Sequence, residues 1–222
     1  MDRSFLHTLS EGAAAVGAPL GKAELDLFAL YHRELLLWNR RINLVSQQTS
    51  GQIALRHFVD SLTPLTRIEK PDGLLIDLGS GAGFPGIPLR IALPGLRLTL
   101  VESSRKKASF LAHIVRTLGL EQVTIIRERI EALFGEPICA GAFDTALSRA
   151  AFKLPELLRM ASFFLKPGGL LIAMKGPEPA EEMDEATAVL KTAGMIQEDC
   201  RDIYLPGTDS KRKIISYRRI SV

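Results

Sequence analysis

The stretch "LLIDLGSGAGFPGIPLR", residues 74–90, decides how the rest of the chain is read. Apolar residues lead to Asp77, and Gly79, Gly81, Gly83 and Gly86 follow in quick succession. This is the layout of a strand, a glycine-rich turn and a helix. In open α/β sheets such a turn lies at the carboxyl ends of the strands, where ligands sit. Glycines there permit φ > 0 and a close approach of backbone to ligand. From Gly81 onward the stretch also satisfies G-x-G-x-x-G, the dinucleotide pattern.

The flanking residues narrow the ligand. Glu102 ends the next strand, about 20 residues on, where an acid can accept hydrogen bonds from a ribose diol. A pyrophosphate wants free N–H donors at the helix start. Pro85 and Pro88 remove two such donors. Asp77 is expected at the loop mouth, where its charge would repel a pyrophosphate and suit the cationic amino and sulfonium groups of S-adenosylmethionine. A nicotinamide-dependent reductase stays open on the glycines alone, as does an RNA-binding module with a vestigial pocket.

Strand-like runs at 74–78, 97–102, 123–127, 143–148 and 169–175 alternate with helical stretches at 86–93, 104–118, 153–164 and 178–193. Such alternation predicts βαβ units and a parallel sheet. The end breaks the pattern. "IQEDCRDIYLP" and "KRKIISYRRISV" are joined by a turn with no room for a helix, which predicts an antiparallel hairpin on the sheet edge. The expected fold is α/β and Rossmann-like: a seven-stranded, mostly parallel sheet with a C-terminal antiparallel hairpin. Residues 1–70 read as an N-terminal helical extension, and residues 71–222 as one compact ligand-binding unit. In the extension, Leu25, Phe28, Leu35 and Trp38 fall near helical spacing. "GQIALRHFVDSLTPL" predicts a short helix that stops before Pro64.

Composition fits a soluble globular protein: 222 residues, 46% hydrophobic, 24% charged, net charge +3. No apolar run approaches the ~18 residues of a membrane span. Glu11 interrupts any signal-peptide core, so a cytoplasmic protein with no membrane partner is expected. Cys139 and Cys200 stand alone, which predicts neither disulfide framework nor metal site. No G-x-S-x-G elbow and no Cys–His signature is present.

Charge is unevenly placed. Lys211, Arg212, Lys213, Arg218 and Arg219 make a basic end free of acids, which suggests a local anionic contact. The helix at 104–118 opens with Ser104, a plausible cap. Arg105, Lys106 and Lys107 then oppose its dipole. Cations placed there are candidates for phosphate binding.

"WNRRINLVS" (38–46), "RHFVDSL" (56–62), "DLGSGAGFPGIPLRI" (77–91), "RIE" (129–131), "SRA" (148–150), "MKG" (174–176) and "KRKIISYRRI" (211–220) occur in this order. Together they resemble the ribosomal RNA small subunit methyltransferase G family, also called glucose-inhibited division protein B. The resemblance covers nearly the whole chain. It implies a class I methyltransferase that moves a methyl group from S-adenosylmethionine, leaving S-adenosylhomocysteine, to N7 of one guanine in a conserved loop of 16S rRNA. The implied partner is 16S rRNA or the small ribosomal subunit, and a monomer is expected.

By the same resemblance, Gly79 and Phe84 line the cofactor pocket; Gly81 joins them as part of the glycine triplet Gly79, Gly81, Gly83. Ile130 and Glu131 contact the adenosine part, Glu102 keeps the carboxylate role, and Arg149 contacts cofactor or substrate. Phe84 reads as an aromatic exposed on a turn. Guanine N7 carries a lone pair and no proton, so no general base is required and no catalytic acid–base pair is predicted. A looped-out guanine is expected, because a folded groove hides that edge. Asn43, Arg105, Lys106, Lys107, Lys175, Arg212 and Lys213 are the RNA candidates, with Asn39, Arg40, Arg41 and Arg56 as further ones. His57 has no ligand-spaced partner and reads as structural or RNA-facing.

Overall fold

The computed structural model describes residues 2–46, 49–137, 139–177 and 179–220. Seven strands form one sheet: β1 (Leu74–Leu78), β2 (Arg97–Val101), β3 (Val123–Ile126), β4 (Phe143–Arg149), β5 (Leu165–Lys175), β6 (Met195–Tyr204) and β7 (Lys211–Arg219). Their order is β3-β2-β1-β4-β5-β7-β6. The first five are parallel, while β7 runs antiparallel between β5 and β6. The chain order reverses between β1 and β4, which makes the carboxyl edge there the topological switch point.

β1 and residues 170–174 of β5 are nearly continuous apolar runs because both sheet faces are covered there. On one face Leu75, Leu98 and Leu100 pack with Phe28, Tyr31, Phe58 and Phe110. On the other, Ile76, Leu78, Ala146 and Leu171 pack with α7 (Leu154–Phe164) and Ala186 of α8 (Ala180–Val189). The remaining long elements are α1 (Arg3–Ala15), α2 (Lys22–Asn39), α5 (Gly86–Ala92) and α6 (Arg105–Thr117). The N-terminal helices thus share one core with the sheet. In α2, Phe28 and Leu35 are fully buried, whereas Leu25 and Trp38 are only partly so.

The segment expected to stop before Pro64 does not stop. It runs as α3 (Ser50–Ile53), a wide π-helical stretch (Ala54–Val59), α4 (Asp60–Leu62) and a 3₁₀ turn (Thr63–Arg67). Pro64 opens that last turn, where its missing N–H leaves no bond unmade.

The basic end splits. Lys213 lies beside Lys175 at the carboxyl end of β5, but Arg218 lies beside Leu170 at the other end. Arg218 is held there by Glu69 and Glu198, and Arg219 donates to the Leu165 carbonyl. Only residues 211–213 reach the ligand edge.

Candidate active site

The glycine loop leaves β1 with most of its amides already spent. Gly79 and Ser80 donate to the Val101 carbonyl, and Gly83 and Phe84 to that of Ser80. Gly81 donates to Glu102 Oε2 at 2.9 Å, Gly86 to Asp77 Oδ2 at 3.0 Å, and Ile87 to the Gly83 carbonyl. Pro85 and Pro88 have none to give. A pyrophosphate would therefore find no donors at the start of α5. Gly79 and Gly81 hold φ of +79° and +57°, in the region that favours glycine.

Asp77 differs from its expected place. It shares the face of Leu75, because side chains alternate along a strand. Its carboxyl is fully buried beneath the loop rather than at the mouth. Oδ1 has no hydrogen-bond partner among the described residues, and burial pushes the group up to about 7. A Cβ on Gly86 would stand 2.8 Å from both Asp77 Oδ2 and Leu100 Cδ2. Gly86 is thus the glycine that lets helix and sheet close up, so the G-x-G-x-x-G match is more than coincidence in glycine density.

The acid at the mouth is Glu102. Its two oxygens accept from Gly81 N and Ser104 N at 2.9 and 2.7 Å. Each oxygen keeps a further lone pair for a hydroxyl donor. Ile130 is buried under the next strand end, and Glu131 is exposed in the 3₁₀ turn Ile130–Leu133. Gly79, Gly81, Glu102, Ile130, Glu131 and Arg149 all lie at one edge of the sheet, each just beyond or at the carboxyl end of its strand.

Phe84 is not exposed. It is buried at 4% and stacks on Tyr31 and on His57, each at 5.4 Å. The N-terminal helices cover it. Arg149 stands over the same ring at 5.2 Å, a cation–π contact.

Beside this ring a cleft of about 440 Å³ opens at the carboxyl ends of β4 and β5. Arg56, His57 and Asp60 line it from the N-terminal segment, Arg149, Met174 and Lys175 from the sheet, and Arg212 from β7. Asp60, 2% exposed, is its electrostatic centre. Oδ2 pairs with Arg149 Nη1 and Oδ1 with Arg212 Nε, both at 3.2 Å. Burial, then Arg149, Arg56 and Arg212, push the His57 imidazole down to about 4. Asp60 was missed in the sequence; an acid four residues after Arg56 in "RHFVDSL" was the available signal.

Lys175 does not face outward as an RNA ligand would. Its amine donates to the Phe152 carbonyl and to Glu182 at 2.6 Å, and Glu182 also accepts from Leu154 N. These bonds hold residues 150–153 over Gly79, where a Cβ would stand 2.8 Å from that of Ala151. Arg212 lines the cleft but is committed to Asp60. Lys213 pairs with Asp202 at 2.7 Å.

Elsewhere, Asn39 is turned inward. It accepts from the Leu44 and Val45 amides and donates to the Val45 carbonyl, pinning the following loop. Arg40, Arg41 and Asn43 on that loop are exposed. Ser104 caps α6 by accepting from Lys107 N at 3.5 Å. Arg105 and Lys106 are exposed and Lys107 half-buried, and none has an ion pair among the described residues. No group of potential metal ligands occurs among the described residues.

The family model of rRNA small subunit methyltransferase G matches residues 24–208. A protein named ribosomal RNA small subunit methyltransferase G from Syntrophus aciditrophicus (strain SB) is 44% identical over 97% of this chain and 90% of its own. One of the same name from Geobacter sp. (strain M21) is 40% identical over 97% and 98%. Among solved structures, a geranyl diphosphate C-methyltransferase from Streptomyces coelicolor A3(2) shares the fold. It has a TM-score of 0.60 at 15% identity, over 86% of this chain and 98% of that one. A precorrin-6y C5,15-methyltransferase from Geobacter metallireducens GS-15 gives a TM-score of 0.56 at 17% identity, over 81% and 92%.

Proposed function

Because the chain belongs to the rRNA small subunit methyltransferase G family, we propose that it transfers a methyl group from S-adenosylmethionine to N7 of one guanine in 16S rRNA. The observation that carries this reading is the juxtaposition of two features at one sheet edge. One is a glycine loop that leaves no free amide at the start of α5 to seat a pyrophosphate. The other is a cleft lined by Arg56, Arg149 and Arg212.

The residues present fit the cofactor. Glu102 offers acceptor lone pairs for ribose hydroxyls, and Gly81 has open space where a Cβ would sit, its nearest neighbour 4.0 Å away. Gly79, Ile130, Glu131 and Arg149 complete the set at the strand ends. When bound, S-adenosylmethionine supplies an electrophilic methyl group on sulfur.

What the chain must add is modest. Guanine N7 is an unprotonated acceptor, so no residue need remove a proton. Orientation is the main contribution. The guanidinium groups of the cleft suit the O6 acceptor and the phosphate charge of the RNA. Asp60 offsets part of the charge of Arg149 and Arg212, which lessens their repulsion of the positive charge that passes to the base. Residues 1–70 act with residues 71–222, since they contribute Arg56 and Asp60 to the cleft.

Beyond the cleft, Arg105, Lys106, Lys107, Arg40, Arg41 and Asn43 are the candidate footprint for rRNA phosphates. The reading further takes the protein to act as a cytoplasmic monomer on 16S rRNA or the small subunit.

The deciding experiment incubates the protein with labelled S-adenosylmethionine and with small subunits, or their rRNA, from a strain lacking this activity. The methylated base is then mapped. Label at N7 of a single 16S guanine is expected, and absence of transfer to rRNA overturns the reading.

A further inference from the structure

His57 lines the cleft, and the mechanism has not used its chemistry. Both of its ring nitrogens are buried and lack a hydrogen-bond partner among the described residues. Such orphaned groups cost stability, and native chains rarely keep two on one side chain without a use. The ring is fixed from behind by Phe84 at 5.4 Å and contributes directly to the cleft lining.

Its neighbours give it a distinct role. Arg56, Arg149, Lys175 and Arg212 can only donate. Asp60 can accept too, but both of its oxygens already hold a guanidinium, and the residue is 2% exposed. A neutral imidazole has one N–H and one lone pair, so among the cleft's polar side chains His57 carries the acceptor that has no partner among the described residues. Burial, and then the surrounding cations, keep it neutral.

A guanine entering the cleft brings complementary groups. O6 and N7 are acceptors that suit the donors, while N1–H and the N2 amino group are donors that need an acceptor. Adenine reverses the pattern at position 6, where an amino group would confront donor-only side chains.

Resting on the reading above, we infer that His57 is a specificity-determining residue, whose lone-pair nitrogen accepts a hydrogen bond from the N1–H or N2–H edge of the target guanine. His57→Phe tests this because it keeps a ring against Phe84 and deletes both nitrogens. The assay uses the full chain, labelled S-adenosylmethionine and an rRNA fragment bearing guanosine, inosine or 1-methylguanosine at the target position.

For guanosine, kcat/KM should fall about 10- to 100-fold in His57→Phe. S-adenosylhomocysteine affinity should stay within about two-fold, and Tm should be no lower than wild type, since no protein hydrogen bond is lost. His57→Gln, which offers an acceptor, should recover part of the activity. Wild type should discriminate against at least one of the two analogues, and His57→Phe should lose that discrimination.

Unchanged kcat/KM in His57→Phe overturns the inference. So does a loss that follows a lower Tm or weaker S-adenosylhomocysteine binding, or one of equal size on all three bases. An active wild type with an unaffected variant defeats this inference alone. A wild type that methylates no rRNA defeats the parent reading, and this inference with it.

Discussion

Asp60, on the N-terminal segment, pairs with Arg149 at the end of β4 at 3.2 Å, across 89 residues of sequence. Its other oxygen holds Arg212 of β7. One buried carboxylate therefore fixes two of the cleft's guanidinium groups and ties three parts of the chain together. Asp60→Ala removes the shared partner of two arginines that remain 20% and 27% exposed. The loss of stability should be about 1–3 kcal/mol, below the full cost of an orphaned buried charge because water reaches both arginines. Methyl transfer should fall more than about ten-fold, as the guanidinium groups lose their orientation. Thermal unfolding and single-turnover transfer measure the two effects; normal transfer by a destabilised variant would show that the pairing serves the fold alone.

Glu102 accepts from the Gly81 and Ser104 amides, one on each oxygen. Glu102→Gln leaves one oxygen to accept and places an NH₂ against the other amide. Affinity for S-adenosylhomocysteine, read by calorimetry, should drop about ten-fold or more. The stability cost should be about 1–3 kcal/mol, that of one half-buried donor left unsatisfied. Undiminished affinity would remove Glu102 from the ribose contact.

The two halves of the molecule were unequally legible in the sequence. Strand and helix positions from 74 onward could be read because apolar runs of two periods alternate there, punctuated by glycines and prolines. The cleft could not. Arg212 lies 152 residues from Asp60, and nothing local signals such a pair. Phe84 was misread because its cover is Tyr31 and His57, from helices packed on the loop by tertiary contacts. Lys175 was misread for the same reason, since Glu182 lies on the following helix. Asp77 was misplaced although its face was legible: residues two apart on a strand share a side, and Leu75 points into the core.

Asp77 also gives the protein a pH dependence with a definite sign. Its carboxyl is raised by burial from 3.8 to about 7. Between those values the folded chain binds the proton and the unfolded chain does not, so this group's contribution falls as pH rises from about 4 to about 7 and is flat above. His32 and His57, both lowered by burial, act in the opposite sense below about 6.5. The contribution is isolated by comparing wild type with Asp77→Asn, whose amide oxygen still accepts from Gly86. The variant's advantage in unfolding free energy should grow from pH 5 to 7 and then level off, with a ceiling of about 4 kcal/mol. A constant difference across that range would mean that Asp77 is ionised throughout.

Arg105, Lys106 and Lys107 present the remaining test, of the RNA footprint. They open α6 against its dipole and have no ion pair among the described residues. The helix does not depend on them. Ser104 remains as its cap, and Ala108, Phe110, Leu111 and Ile114 form its buried face. Replacing all three by Ala should leave Tm unchanged or slightly raised, since each cation opposes the dipole by about 0.3–1 kcal/mol. If each meets an rRNA phosphate, the slope of log affinity against log salt should become shallower by about 2, at roughly 0.7 per single-strand phosphate. Lys213→Ala is the control, because its amine already pairs with Asp202 at 2.7 Å; it should alter the slope little. Equal slopes for the triple variant and wild type, measured by titration from low to high salt, would place the phosphates elsewhere on the surface.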